Sequence, residues 1–137
     1  MAVDALLGRF ADSAWAYRFG EAGHVVALGE LCDVDGRVLC AAHHFPGGLS
    51  HDVRADIGLQ GGMERDGVDG AMRLALTSKE LALFVHVAVE GEGSVSDNYF
   101  HLAPGETRRL AVSSPRNQKP SVRIAALNSR AVLEIRQ

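Results

Sequence analysis

Apolar and polar residues alternate with period two along most of the chain, and no segment sustains a helical stripe over three turns, which predicts an all-β protein. Trp15, Tyr17 and Phe19 alternate with Ala14, Ala16 and Arg18, predicting a short first strand. Residues 24–33 and 37–45 read as a hairpin about Asp35-Gly36, and Val53, Ala55, Ile57 and Leu59 as one face of a further strand. A charged surface loop is expected next, built on Gly61, Gly62, Gly67 and Gly70 with Glu64, Arg65, Asp66 and Asp69 between them. Met72, Leu74 and Leu76 then mark a strand. The run Leu81 to Val89 is apolar on both faces apart from His86, as expected of a central strand covered on both sides.

Pro104-Gly105 predicts a type II turn, with proline setting φ at the second position and glycine allowing positive φ at the third. It should join a short strand at 98–102 to another at 106–113. The polar stretch Ser113 to Pro120 reads as a loop, Val122, Ile124 and Ala126 as the next strand, and Ala131, Leu133 and Ile135 as the last. About eight or nine short strands separated by turn signals predict a two-sheet sandwich. Residues 3–12 fit either a turn of helix or an extended lead-in.

The two cysteines, Cys32 and Cys40, flank the Asp35-Gly36 turn. A two-residue hairpin pairs Val34 with Arg37 and Cys32 with Leu39, which turns Cys40 to the opposite face and predicts two free thiols. A three-residue loop at 35–37 would instead set the cysteines opposite one another. Cys40 shares its face with Val38, Ala42, Leu31 and Ala27, so it is expected to be a small buried hydrophobe.

With 137 residues the chain is long enough for one domain with one core, and 47% hydrophobic against 23% charged residues is the balance of a globular protein. The formal net charge is −3 and the basic residues are scattered. There is no basic footprint for nucleic acid and no polybasic patch for a membrane. No apolar run approaches the roughly 20 residues that span a bilayer, and Met1 to Asp4 carry no targeting pattern, so the compartment stays unknown.

Catalytic and metal chemistry find little support. Glu90, Glu92, Asp97 and Glu106 cluster in sequence, but at strand ends and turns where solvated carboxylates are ordinary. His43 and His44 are neighbours on a strand and point opposite ways, and no CxxC or HxxxH spacing occurs, so no metal site is expected. His86 reads as a satisfied core histidine. No phosphate-cradling glycine motif and no GxSxG serine is present, and no cofactor is expected. The row Trp15, Tyr17, Phe19 is the best candidate for contact with a sugar, although packing against the core or a neighbouring domain is the favoured role.

The run Ser96-Asp97-Asn98-Tyr99-Phe100-His101-Leu102-Ala103-Pro104-Gly105-Glu106 resembles the SDN(Y/F)F-x-L-x-PGE stretch in the C-terminal β-sandwich region of β-mannosidases, which are family 2 glycoside hydrolases. Ala16-Tyr17-Arg18-Phe19-Gly20 and the segment His24 to Pro46 are also similar to that family, so the resemblance covers most of residues 11–135. It implies an immunoglobulin-like two-sheet sandwich of about eight strands, occupying residues 1–137 as a single domain, with 1–13 as a lead-in from a preceding domain.

In that family the catalytic glutamates lie on a separate barrel domain, the acid/base one in an Asn-Glu pair. No such pair occurs here, so none is carried over. The resemblance therefore implies a non-catalytic domain whose partners are the other domains of a glycosidase that hydrolyses terminal β-mannose residues. A carbohydrate-binding module that meets an oligosaccharide, with Trp15 and Tyr17 on its face, and a free-standing interaction domain are the alternatives. Ser96, Asp97, Asn98, Tyr99, Phe100, Pro104 and Gly105 read as a fold-defining corner or domain-interface motif. Asp97 and Asn98 either cap a turn or reach across a domain border, and Tyr99 or Phe100 plugs the core beneath.

Overall fold

A computed structural model of the chain describes residues 5, 8–10, 12, 23–49, 52–66, 71–114 and 120–136, in two compact units, 1–50 and 51–137. Trp15, Tyr17 and Phe19 lie outside the described residues, as do Gly67, Asp69, Gly70 and most of the expected lead-in.

In the first unit β1 (Ala27–Cys32) and β2 (Val38–His44) form an antiparallel two-stranded sheet. Its body pairs Ala27 with His44 and Leu31 with Cys40, the spacing expected from a turn at Asp35-Gly36. The tip differs. Cys32 pairs with Val38 instead of Leu39, and the register shifts by one residue next to it. The cause is Asp33, whose Oδ1 accepts from the N–H of Asp35 at 3.0 Å and of Arg37 at 2.8 Å. Its own N–H donates to Arg37 O at 2.9 Å, and Gly36, at φ 82°, closes the loop by donating to Asp33 O.

Both thiols are free, and both are exposed. Exposure corrects the expectation of a buried Cys40: alternation shows which side chains share a face, not that anything covers it, and Leu31, Val38 and Leu39 are exposed as well.

Among the described residues the second unit holds eight strands. They are β3 (Leu59–Arg65), β4 (Met72–Ser78), β5 (Ala82–Val89), β6 (Ser94–Val95), β7 (Phe100–Leu102), β8 (Thr107–Ser113), β9 (Val122–Ala125) and β10 (Leu133–Ile135). One sheet has the order β10-β9-β5-β7 and the other β3-β4-β8-β6, with every pairing antiparallel. This is the two-sheet immunoglobulin-like sandwich that the strand pattern and the family resemblance predicted.

Alternate residues supply the core: Leu74 and Leu76 from β4, Val85 and Val87 from β5, Phe100 and Leu102 from β7, Leu110 and Val112 from β8, Val122 and Ile124 from β9. All are buried. The outer positions of β5, namely Phe84, His86 and Ala88, are only half-buried, so the strand is central in its sheet but fully covered on one face alone.

Two expectations are corrected at β3. Residues 53–58 do not form a strand. Arg54 makes a single bridge to Ser129, and the Asp56 carboxylate then accepts from Gly58 N–H at 2.8 Å in a tight turn that needs the positive φ of Gly58, 69°. Ile57 is nonetheless buried, as its place in the alternation required.

The strand lies later and takes in Gly61 and Gly62, which were expected in a loop. Gly61 pairs with Leu76 on the inner face, where an added Cβ would lie 2.5 Å from Leu76 Cδ2 and 2.8 Å from Ala75 O. Close approach of side chain and backbone, rather than chain reversal, accounts for a glycine there. Gly61→Ala is expected to cost about 2 kcal/mol, because a backbone carbonyl cannot move aside as a side-chain tip can. Urea unfolding checks this, and an unchanged midpoint would contradict the close packing at Gly61.

Candidate functional site

The segment from Ser96 to Glu106 leads from β6 through β7 into β8 and ties the two sheets together through its polar side chains. Ser96 grips β8: its N–H donates to Ala111 O at 3.0 Å and its hydroxyl accepts from Ala111 N–H at 3.0 Å. The Asp97 carboxylate accepts from Asn98 N–H at 2.8 Å and forms an ion pair with Arg108 of β8. That guanidinium lies 4.5 Å from the centroid of the Phe100 ring, a cation–π contact over the buried aromatic.

Asn98 completes the sheet on the other side. Its side-chain oxygen accepts from Val87 N–H at 2.8 Å and its side-chain nitrogen donates to Val87 O at 3.0 Å. One amide thus stands in for a paired strand residue beyond the end of β7, satisfying both backbone groups of Val87. The same oxygen accepts from Tyr99 N–H, which also donates to Val85 O at 2.8 Å. Val85 thus takes the N–H of Tyr99, a residue at φ 58°, and pairs with Phe100, while the register shift of the two strands lies on β5 between Ala82 and Val85. The pairing of Phe100 with the inward-facing Val85 decides between the two candidate plugs: Phe100 is 8% exposed and sits in the core, whereas Tyr99 is 63% exposed.

Pro104-Gly105 forms the expected turn. Glu106 N–H donates to Ala103 O at 3.1 Å and Gly105 has φ 77°. Gly105 N–H also reaches Ser78 O on β4, so the turn fastens one sheet to the other. Glu106, expected to be a solvated carboxylate, accepts from Ala103 N–H at 3.0 Å and locks the turn it follows.

The cross-strand neighbours of this corner form an aromatic face. Val85 and Phe100 are paired and point inward, so the residues flanking them, Phe84 and His86 on β5 and Tyr99 and His101 beside them, lie on the outer face of the sheet. His86 stacks on Tyr99 with centroids 5.0 Å apart and planes inclined at 21°. Phe84 meets His101 edge to face at 4.6 Å, and the Phe84 N–H donates to His101 Nδ1 at 3.3 Å. Phe84 has φ 46° and Tyr99 φ 58°, a conformation that costs a non-glycine residue about 1–2 kcal/mol.

Two further features bear on chemistry. At the end of β3, Glu64, Arg65, Asp66, Arg73 and Arg109 line an open cleft in which Glu64 pairs with Arg109 at 3.2 Å and Asp66 with Arg73 at 3.1 Å. Each of its two carboxylates is thus paired with an arginine. Among the described residues no group of three His, Cys, Asp or Glu side chains is arranged to hold a metal ion.

Sequence reasoning did not single out Asn128, one of the two buried polar residues among the described residues of the sandwich. Its side-chain oxygen accepts from Leu83 N–H at 2.9 Å and its nitrogen donates to Leu81 O at 2.8 Å. The one available signal was an asparagine at the strand-to-turn junction after Ala126, a position where side chains bond nearby backbone. The pairing of Phe84 with His101 and of His86 with Tyr99 was also missed, since no local pattern tells which strands are neighbours.

No curated protein matches the chain. A model of the Ig_mannosidase family, described as an Ig-fold domain, matches residues 55–130. The match spans the sandwich from the Asp56 turn through Asn128 and contains the whole Ser96 to Glu106 corner. With more than half of its 137 residues matched, the chain belongs to the Ig_mannosidase family of Ig-fold domains.

Proposed function

We propose that this chain is the non-catalytic β-sandwich domain of a β-mannosidase-like family 2 glycoside hydrolase, where it supports the catalytic domain. The parent enzyme hydrolyses terminal β-mannose residues of oligosaccharides by a retaining mechanism, with both catalytic carboxylates on another domain. The observation that carries this reading is the Ig_mannosidase match over residues 55–130, which contains β3 to β9 of the sandwich and its signature corner. The use of the local acids agrees with it: Asp97 is engaged by Arg108 and Asn98, and Glu106 by Ala103.

The test has two parts. Reading the source DNA upstream of the codon for Ala2 is expected to find the frame continuing into a barrel domain with an Asn-Glu pair; a stop codon and ribosome-binding site there would remove the reading. The purified 137-residue chain is expected to release no nitrophenol from p-nitrophenyl β-mannoside, and turnover by it would equally contradict a purely supporting role.

A further inference from the structure

We infer that the outer face formed by Phe84, His86, Tyr99 and His101 is a binding platform for a β-linked pyranose, with the exposed Tyr99 ring as its floor. In a stacked pair each ring covers one face of the other, and Tyr99, stacked on His86, keeps 63% of its surface open. A flat aromatic face with a polar rim is the complement of a β-pyranoside, whose axial C–H groups form one apolar face and whose hydroxyls ring its edge. The phenol hydroxyl and the His86 imidazole provide that rim.

Burial does not explain this arrangement. Phe100, one residue on, already fills the core, and an asparagine or glycine at position 99 would adopt the observed φ with less strain. Both Phe84 and Tyr99 instead carry the cost of a positive φ where their rings meet His101 and His86. The opposite sheet offers no such surface: its outer positions Gly62, Ala75, Thr77, Thr107 and Ala111 are small or polar.

Sugar binding at this face is independent of the supporting role. A failure to bind sugar leaves the upstream reading frame and the family membership untouched, and a closed upstream frame leaves the platform untouched.

The test is an NMR titration of the 15N-labelled 137-residue chain with β-1,4-mannobiose and, separately, with chitobiose. At least one is expected to bind with a dissociation constant on the order of 1 mM, shifting the amides of Phe84, His86, Tyr99 and His101 together. Tyr99→Asn, which keeps a side chain tolerant of positive φ, should weaken binding by roughly fivefold to tenfold. Its unfolding midpoint, measured alongside, separates loss of the ring from loss of the fold. No shifts with either sugar, or shifts that map away from β5 and β7, would overturn the inference whatever the variant does. An unchanged affinity in folded Tyr99→Asn would overturn it too, and such results would leave a neighbouring protein domain as the occupant of this face.

Discussion

Replacing Asn128 with alanine is expected to destabilise the sandwich by about 3 kcal/mol, more than either Gly61→Ala or Asn98→Ala. The side chain is 8% exposed and its amide serves two backbone groups that have left the regular ladder, Leu83 N–H and Leu81 O. Alanine removes both partners at once. Water does not reach Leu83, itself 3% exposed, and an unpaired buried group costs about 1–3 kcal/mol. For a domain of this size the loss amounts to a fall of roughly 10–20 °C in the unfolding midpoint. Ser129→Ala is the internal comparison, because that hydroxyl bonds only to nearby Ala131. If Asn128→Ala lowers the midpoint no further than Ser129→Ala, the amide does not fasten this part of the sandwich.

Asn98→Ala is expected to cost about 2 kcal/mol. The loss again comprises a donor and an acceptor, here serving Val87, but the site is only part-buried and water can replace some of what is removed. Aspartate is a sharper probe than alanine. Asn98→Asp keeps an acceptor for Val87 N–H but sets a carboxylate oxygen against Val87 O, so it should be nearly as damaging despite its matching shape. Amide exchange distinguishes this account from a general loosening. Val87 N–H should lose protection in Asn98→Ala by more than its neighbours do, and protection retained at Val87 would show that another group satisfies it.

Both asparagines show where reading the chain reaches its limit. Period-two alternation predicted the inward-facing residues of β4 and β9, because the face a strand buries is a local property of the pleat. Pro104-Gly105 predicted its turn for the same reason, as both residues constrain their own dihedrals. The partner of Asn128, by contrast, is 45 residues away at Leu83, and nothing in the local pattern names it.

The candidate site divides along the same line. The stretch from Ser96 to Glu106 stood out in the sequence as a family signature, with Asp97 and Asn98 as side chains able to bond backbone. Its geometry did not. Whether Tyr99 or Phe100 enters the core depends on which of them pairs with the inward-facing Val85, and it is Phe100, two residues after the Asn98 that bonds Val87. A one-residue offset in a strand exchanges inside for outside, and only the neighbouring strand sets that offset.

Alone, then, the sequence determined the fold class, most of the core, the Pro104-Gly105 turn and the family, since each rests on periodicity, on local dihedral preference or on a contiguous motif. Tertiary structure decided the rest. It placed Gly61 beneath Leu76, left Cys40 exposed, gave Asn128 its backbone partners, and brought Phe84, His86, Tyr99 and His101 onto one surface. The placements of Gly61, Asn128 and the four rings turn on the register between strands, which no single segment encodes.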